Sequence, residues 1–143
     1  LQLVPIPTRS EYLNATFNLW SPFLPRIAAR SPWSIEELLG KLSRYEVQPV
    51  LVVDGKTPVA LLGVSIVDGE AGTLDAELVW LTGKRRHEWQ HLLAELESYL
   101  REHVRCVKCR PICRPGWKRF LEANGYTLIR TDADGHIAME KVL

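Results

Sequence analysis

Along this chain apolar residues recur with two periods, and each change of period marks a new element. "LQLVPIP" opens as a short strand. From Ser10 to about Trp20 the spacing is helical, with Ser10 as candidate N-cap. Pro22 and Pro25 then interrupt it, and "RIAAR" continues as a displaced turn. A second helix is predicted from Ser34 to about Arg44, since Ser34 and Glu37 stand at capping-box spacing. Three strands follow, turning at Asp54-Gly55 and Asp68-Gly69, dipeptides suited to tight hairpins.

The third of these strands, "GTLDAELVWLT", is apolar on both faces. Strict alternation puts Leu74, Ala76, Leu78 and Trp80 on one face and Val79 and Leu81 on the other, so helices are expected on both sides. The longest helix is predicted over 86–103, with Trp89, Leu92, Leu93, Leu96 and Leu100 as its buried stripe. "VRCVKCRPI" reads as a fifth strand. A short helix then starts at Pro115, spaces Trp117, Phe120, Leu121 and Asn124 on one side, and ends at Gly125 as a left-handed C′ residue. Tyr126, Leu128 and Ile129 begin a terminal hairpin around Asp134-Gly135. The order is β-α-α-β-β-β-α-β-α-β-β in a single domain spanning 1–143. The hairpin-linked strands must be antiparallel, and the strand-helix-strand unit from Leu74 to Ile112 parallel, giving a mixed α/β sheet.

Composition narrows the classes. With 143 residues and 46% hydrophobic content the chain can bury one core. A formal net charge of +1 gives no reason to expect general nucleic-acid or anionic-membrane binding. No apolar run is long enough to span a bilayer and no signal peptide is visible, so a cytoplasmic protein is expected. Three cysteines fit a reducing compartment better than a disulfide scaffold. The chain opens on Leu1, not Met, from which a preceding segment is expected.

The late stretch "RPGWKRFLEANGY" followed by a hairpin, taken with the element order, resembles the GNAT (Gcn5-related N-acetyltransferase) fold over nearly the whole chain. It looks closest to small GNAT-like proteins encoded by tailed phages. That resemblance implies N-acetyl transfer from acetyl-CoA to an amine acceptor. The pantetheine would lie along Val79, Trp80 and Leu81, in a splay between the fourth and fifth strands near Leu81 and Val107. The family's Gln/Arg-x-x-Gly-x-Gly/Ala phosphate loop is not matched: "WLTGKRRHEW" supplies only Gly83, and Lys84, Arg85 and Arg86 are the candidate phosphate ligands instead. Glu77 stands where many members hold the general base, with Asp75 as alternative, and both are expected to share the face of Val79 and Leu81. The family's acid, a Tyr, is replaced by Leu121. The alternative implied by these departures is a non-catalytic phage protein, a virion or assembly component or a homo-oligomer that binds a protein partner.

Two further patterns carry chemistry. "HEWQH", His87 to His91, satisfies H-E-x-x-H, the helical zinc-peptidase signature, with Glu88 as base. The two histidines lie opposite the apolar stripe, and no third ligand is evident. His103, Cys106, Cys109 and Cys113 stand in a row, but on a strand the odd separation sends Cys106 and Cys109 to opposite faces, so burial is the better reading and no metal is expected. Cys113, at the helix mouth, is the thiol to test for reactivity. Trp20, Phe23 and Trp33 flank the proline-broken region that borders an acceptor groove in GNAT folds.

Overall fold

The computed structural model describes residues 1–143. Seven strands form one sheet: β1 (Gln2–Pro5), β2 (Gln48–Asp54), β3 (Thr57–Asp68), β4 (Leu74–Gly83), β5 (Cys106–Cys113), β6 (Thr127–Thr131) and β7 (Ile137–Val142). Their order across the sheet is β1-β2-β3-β4-β5-β7-β6. Only β4 and β5 run parallel; every other neighbouring pair is antiparallel.

Helices cover both faces. On one lie α1 (Ser10–Ala15), α2 (Phe17–Trp20), α3 (Leu24–Ala28) and α4 (Ile35–Ser43), burying Trp20, Leu24, Leu38 and Leu42 against Leu51, Leu61 and Trp80. On the other lie α5 (Arg86–Trp89), α6 (Leu92–Tyr99) and α7 (Lys118–Ala123), packing Trp89, Leu93, Leu96 and Leu121 against Leu62, Ala76 and Leu78. No helix is long and apolar enough to cross a membrane.

Local chemistry explains where helices start and stop. Ser34 accepts from the Glu37 N–H while the Glu37 carboxylate accepts from the Ser34 N–H, a complete capping box worth about 1 kcal/mol at its N-cap. Ser10 is not a cap; it is the first helical residue, and Arg9 flanks it without a side-chain bond. The predicted first helix is divided at Thr16, whose hydroxyl donates to the Tyr12 carbonyl at 2.7 Å and accepts from Trp20 Nε1 at 3.1 Å. Such back-bonding bends helices. The predicted long helix is also divided: Gln90 and His91 keep helical dihedrals, but the Leu93 N–H bonds the carbonyl of Gln90, three residues back. After α7 the Gly125 N–H bonds Glu122 and the Tyr126 N–H bonds Leu121, a Schellman closure with Gly125 at φ +89°.

Two bulges alter which way side chains point. Between β3 and β4, Gly63 pairs with Trp80 but Val64 with Leu78, leaving Val79 as the extra residue. Trp80 therefore packs with the α1–α4 layer while Leu78 packs with the other, against the strict alternation expected from sequence. In β5 the register steps from Leu74↔Cys106 to Asp75↔Lys108, and the extra residue Val107 brings Cys106 and Cys109 to the same core. Their expected placement on opposite faces fails for that reason.

Candidate active site

The β4–β5 ladder runs from Leu74↔Cys106 only to Leu78↔Pro111. Beyond it β4 stays paired to β3 as far as Ala60↔Gly83, and β5 stays paired to β7 through Ile112↔Ala138 and Cys113↔Ile137. The two parallel neighbours thus diverge while each remains anchored on its outer side. Both ends of the fork have a cause: Pro111 has no N–H to donate, and Val79 is the bulged residue that turns β4 away. Val107 lies at the closed end, so the divergence expected near it occurs instead opposite Ile112 and Cys113.

The fork opens on a cavity of ≈ 210 Å³. Val79, Trp80, Leu81 and Thr82 form its β4 wall, Ile112, Cys113 and Trp117 the opposite one, and Ile27 and Trp33 come from the α3–α4 side. Trp89 does not fill it: that ring is buried behind, 6.1 Å from Trp117 and 5.6 Å from Phe120, its Nε1 donating to the Lys84 carbonyl at 2.8 Å.

A second, wider cavity of ≈ 650 Å³ shares Arg26, Arg30, Arg114, Leu81, Thr82 and Trp117 with the first and adds Gly83, Arg85, Arg86, His87, Pro115 and Gly116; no carboxylate lines it. The three basic residues of the turn have separate fates. Arg85, at φ +59°, gives its guanidinium to Glu88 at 2.6 and 2.9 Å and to Asp54 at 3.0 Å. Those hydrogen bonds, Glu88 first and Asp54 second, raise its pKa further, so its charge is already met. Lys84 lies outside both cavities, and its N–H is taken by the Val59 carbonyl. Arg86 remains: it stacks 4.8 Å above the Trp117 ring and donates to the Gly116 carbonyl at 3.3 Å, reaching from the β4 side to the β5 side of the mouth.

Glu77 and Asp75 lie outside the lining of the inner cavity. Glu77 shares the sheet face of Val79, but Leu81 packs on the other face after the bulge, so the expected common face is only half met. Arg110 holds both acids, at 3.3 Å from Glu77 Oε2 and 3.3 Å from Asp75 Oδ2, and also Glu140 at 3.0 Å. Asp75 Oδ1 is buried without a hydrogen-bond partner. Tyr126 is no substitute for the missing acid: it is buried in the core with its hydroxyl 2.9 Å from Glu97 Oε2.

Residues the sequence reading did not select do line the inner cavity: Asp132, Asp134 and His136 from the turn between β6 and β7, Arg26 and Arg30 from α3 and its exit, and Arg114 after β5. His136 Nδ1 is buried and lies 3.0 Å from Asp134 Oδ2, off the line of a hydrogen bond, while the Asp134 carboxylate accepts from the His136 backbone N–H at 2.9 Å. That backbone bond holds Asp134 below the usual carboxylate range. The only sequence signal for this group was the D-x-D-G-H spacing, which is also that of an ordinary hairpin turn.

Other candidate chemistry dissolves. No group of three His, Cys, Asp or Glu side chains is placed to hold a metal, so the H-E-x-x-H pair finds no third ligand. Cys106, Cys109 and Cys113 are all free and buried. Burial pushes the Cys113 thiol up to about 12, which disfavours its thiolate near neutral pH although it borders the cavity.

No protein-family model matches the sequence, and no curated protein matches it. Solved structures do match. The aminoglycoside 6′-N-acetyltransferase from Enterococcus faecium superposes with a TM-score of 0.69 at 17% identity, covering 99% of this chain and 97% of that one. Tetrahymena GCN5 gives 0.69 at 12%, covering 99% and 96%. The PaiA N-acetyltransferase from Thermoplasma acidophilum, solved in complex with coenzyme A, gives 0.63 at 20%, covering 95% and 88%. At these identities the likeness establishes the fold, and the fold is that of the GNAT acetyltransferases.

Proposed function

We propose that this protein is an acyl-CoA-dependent N-acyltransferase. One observation carries the reading: two parallel strands part after Leu78↔Pro111 and leave the inner edge of Val79–Leu81 without a strand partner, facing a cavity. An extended pantetheine, with its amides, suits such an edge, since it can take up ladder bonds that β5 has left. The basic outer cavity fits the rest of the molecule. Arg86 is the phosphate ligand there, with Gly83 and His87 beside it; Arg85 is occupied and Lys84 lies outside the lining. Bound in the fork, acyl-CoA supplies an activated acyl carbon as a thioester.

The chain's own task is to take one proton from an ammonium acceptor, so that its nitrogen can form the new amide bond as the thioester C–S bond breaks. The second proton lost from nitrogen ends on the departing sulfur, and coenzyme A leaves as the thiol. Two groups are suited to this. Glu77 sits one residue before the ladder ends, with its carboxylate held by Arg110. His136 lines the cavity itself, oriented beside Asp134. Comparing Glu77→Gln with His136→Asn at saturating acetyl-CoA identifies the base by which kcat falls.

Calorimetry with coenzyme A tests the binding claim. The wild type binds; Arg86→Ala weakens binding about tenfold or more, the effect of losing one charge-assisted contact, and Arg85→Ala stays within about threefold. No heat at millimolar ligand refutes the acyltransferase reading and leaves a protein-binding scaffold.

A further inference from the structure

We propose that the acceptor is a small zwitterion, a primary amine that also carries a carboxylate or phosphate, and not a polycationic amino sugar. The inference rests on the acyltransferase reading and specifies its second substrate.

The charges around the fork are sorted. Arg26, Arg30 and Arg114 line both cavities, so they stand where the two meet. Asp132, Asp134 and His136 line the inner cavity alone. The three arginines take part in none of the protein's ion pairs, in contrast to Arg85 and Arg110. Three unpartnered guanidinium groups on one cavity repel one another, and an anionic group with two or three oxygens relieves that repulsion while using their planar donors. Asp134, which lines the inner cavity alone, remains ionised near neutral pH and attracts an ammonium group.

A molecule with an anion at one end and an amine at the other satisfies both sides at once. Its anion faces Arg26 and Arg30, and its nitrogen faces His136 and Asp134. A polycation gains from the acids but meets three unpaired cations. Volume agrees: the inner cavity of ≈ 210 Å³ is below the roughly 300–1,000 Å³ of pockets that take drug-sized ligands, and the donor's thioester end shares it, so the acceptor is small. Arg86 lines the outer cavity only and serves the donor, whereas Arg26 and Arg30, lining both cavities, also reach the acceptor's side.

The experiment measures thiol release from saturating acetyl-CoA with four acceptor sets: the common amino acids, O-phosphoethanolamine, tryptamine as an amine without an anion, and kanamycin. Calorimetry with coenzyme A runs beside it, on the wild type and on Arg26→Ala plus Arg30→Ala. A zwitterion should exceed tryptamine and kanamycin in kcat/KM by about tenfold or more, the amino-acid and phosphoethanolamine arms telling carboxylate from phosphate. The double variant should raise KM for that zwitterion about tenfold or more without raising it for tryptamine, and should weaken coenzyme A less than it weakens the zwitterion, since both arginines also line the outer cavity. Arg26→Lys plus Arg30→Lys should recover part of the loss. Preference for kanamycin or tryptamine overturns the inference, as does a double variant that weakens coenzyme A and spares the acceptor KM. Coenzyme A binding without turnover of any zwitterion overturns this inference alone. Failure of coenzyme A to bind overturns the acyltransferase reading and this inference with it.

Discussion

Gly63→Ala is expected to destabilise the fold through one contact that the β4 bulge creates. Because Val79 is the extra residue, Trp80 turns onto the α1–α4 side and its ring lies over Gly63, its partner on β3. A Cβ built at Gly63 would sit 2.7 Å from Trp80 Cδ2 and 2.8 Å from Cε3 and Cγ. Ordinary contact needs roughly 1 Å more, and Trp80 is fully buried, so the ring can yield only by pushing its neighbours. Overpacking of this kind costs about 1–3 kcal/mol, and the lower chain entropy of Ala in the unfolded state returns about 0.4–1 kcal/mol. The net loss is about 1–2 kcal/mol, or roughly 3–7 °C in Tm for a domain of this size. Gly40→Ala is the matched control with opposite sign. Gly40 lies inside α4, and its added Cβ meets only the end of the Arg44 side chain, at 2.9 Å from Nη1. That chain is exposed and can swing aside, so the helix gains about 0.5–1 kcal/mol. Thermal melts followed by circular dichroism measure both. A Gly63→Ala protein melting at or above the wild type, with Gly40→Ala stabilised as stated, would refute the bulge argument.

Two further outcomes follow from buried groups away from the site. Tyr126→Phe removes the hydroxyl that donates to buried Glu97, leaving Glu97 only its 2.8 Å ion pair with Lys141. Urea titration should show a loss of about 1–3 kcal/mol, and turnover at saturating substrates should be unchanged because Tyr126 does not reach the cavity. Burial pushes the Cys109 and Cys113 thiols from 9.0 up to about 12, so the unfolded chain releases these protons first as pH rises. Their contribution to stability is therefore complete below pH 9.0 and lost as pH climbs toward about 12, and the urea midpoint should fall between pH 8.5 and pH 10.5, assayed at about those values. A midpoint that rises over that interval contradicts the burial of the thiols.

The local elements were legible because their causes are local. Ser34 and Glu37 make their capping box from residues three apart, Gly125 closes α7 through its own neighbours, and the stripe from Trp89 to Leu100 is buried as its spacing requires. The mixed α/β sheet with helices on both faces, and the GNAT fold it forms, follow from the order of such elements. The candidate site was less legible, because it depends on register and on long-range pairing. One extra residue at Val79 moves Trp80 to the other face, and another at Val107 puts Cys106 and Cys109 together; alternation along a strand cannot reveal either, since the partner strand decides where a residue is skipped. The run Lys84-Arg85-Arg86 looks uniform in sequence, yet Asp54 on the β2–β3 hairpin helps to occupy Arg85 and leaves Arg86 to face the mouth. Arg26 and His136 stand more than a hundred positions apart and line one cavity because β4 and β5 separate between them. Sequence alone determined the elements and the class of fold, through short-range hydrogen bonding and apolar period; the fork, its charges and the choice of arginine were decided only when distant strands paired.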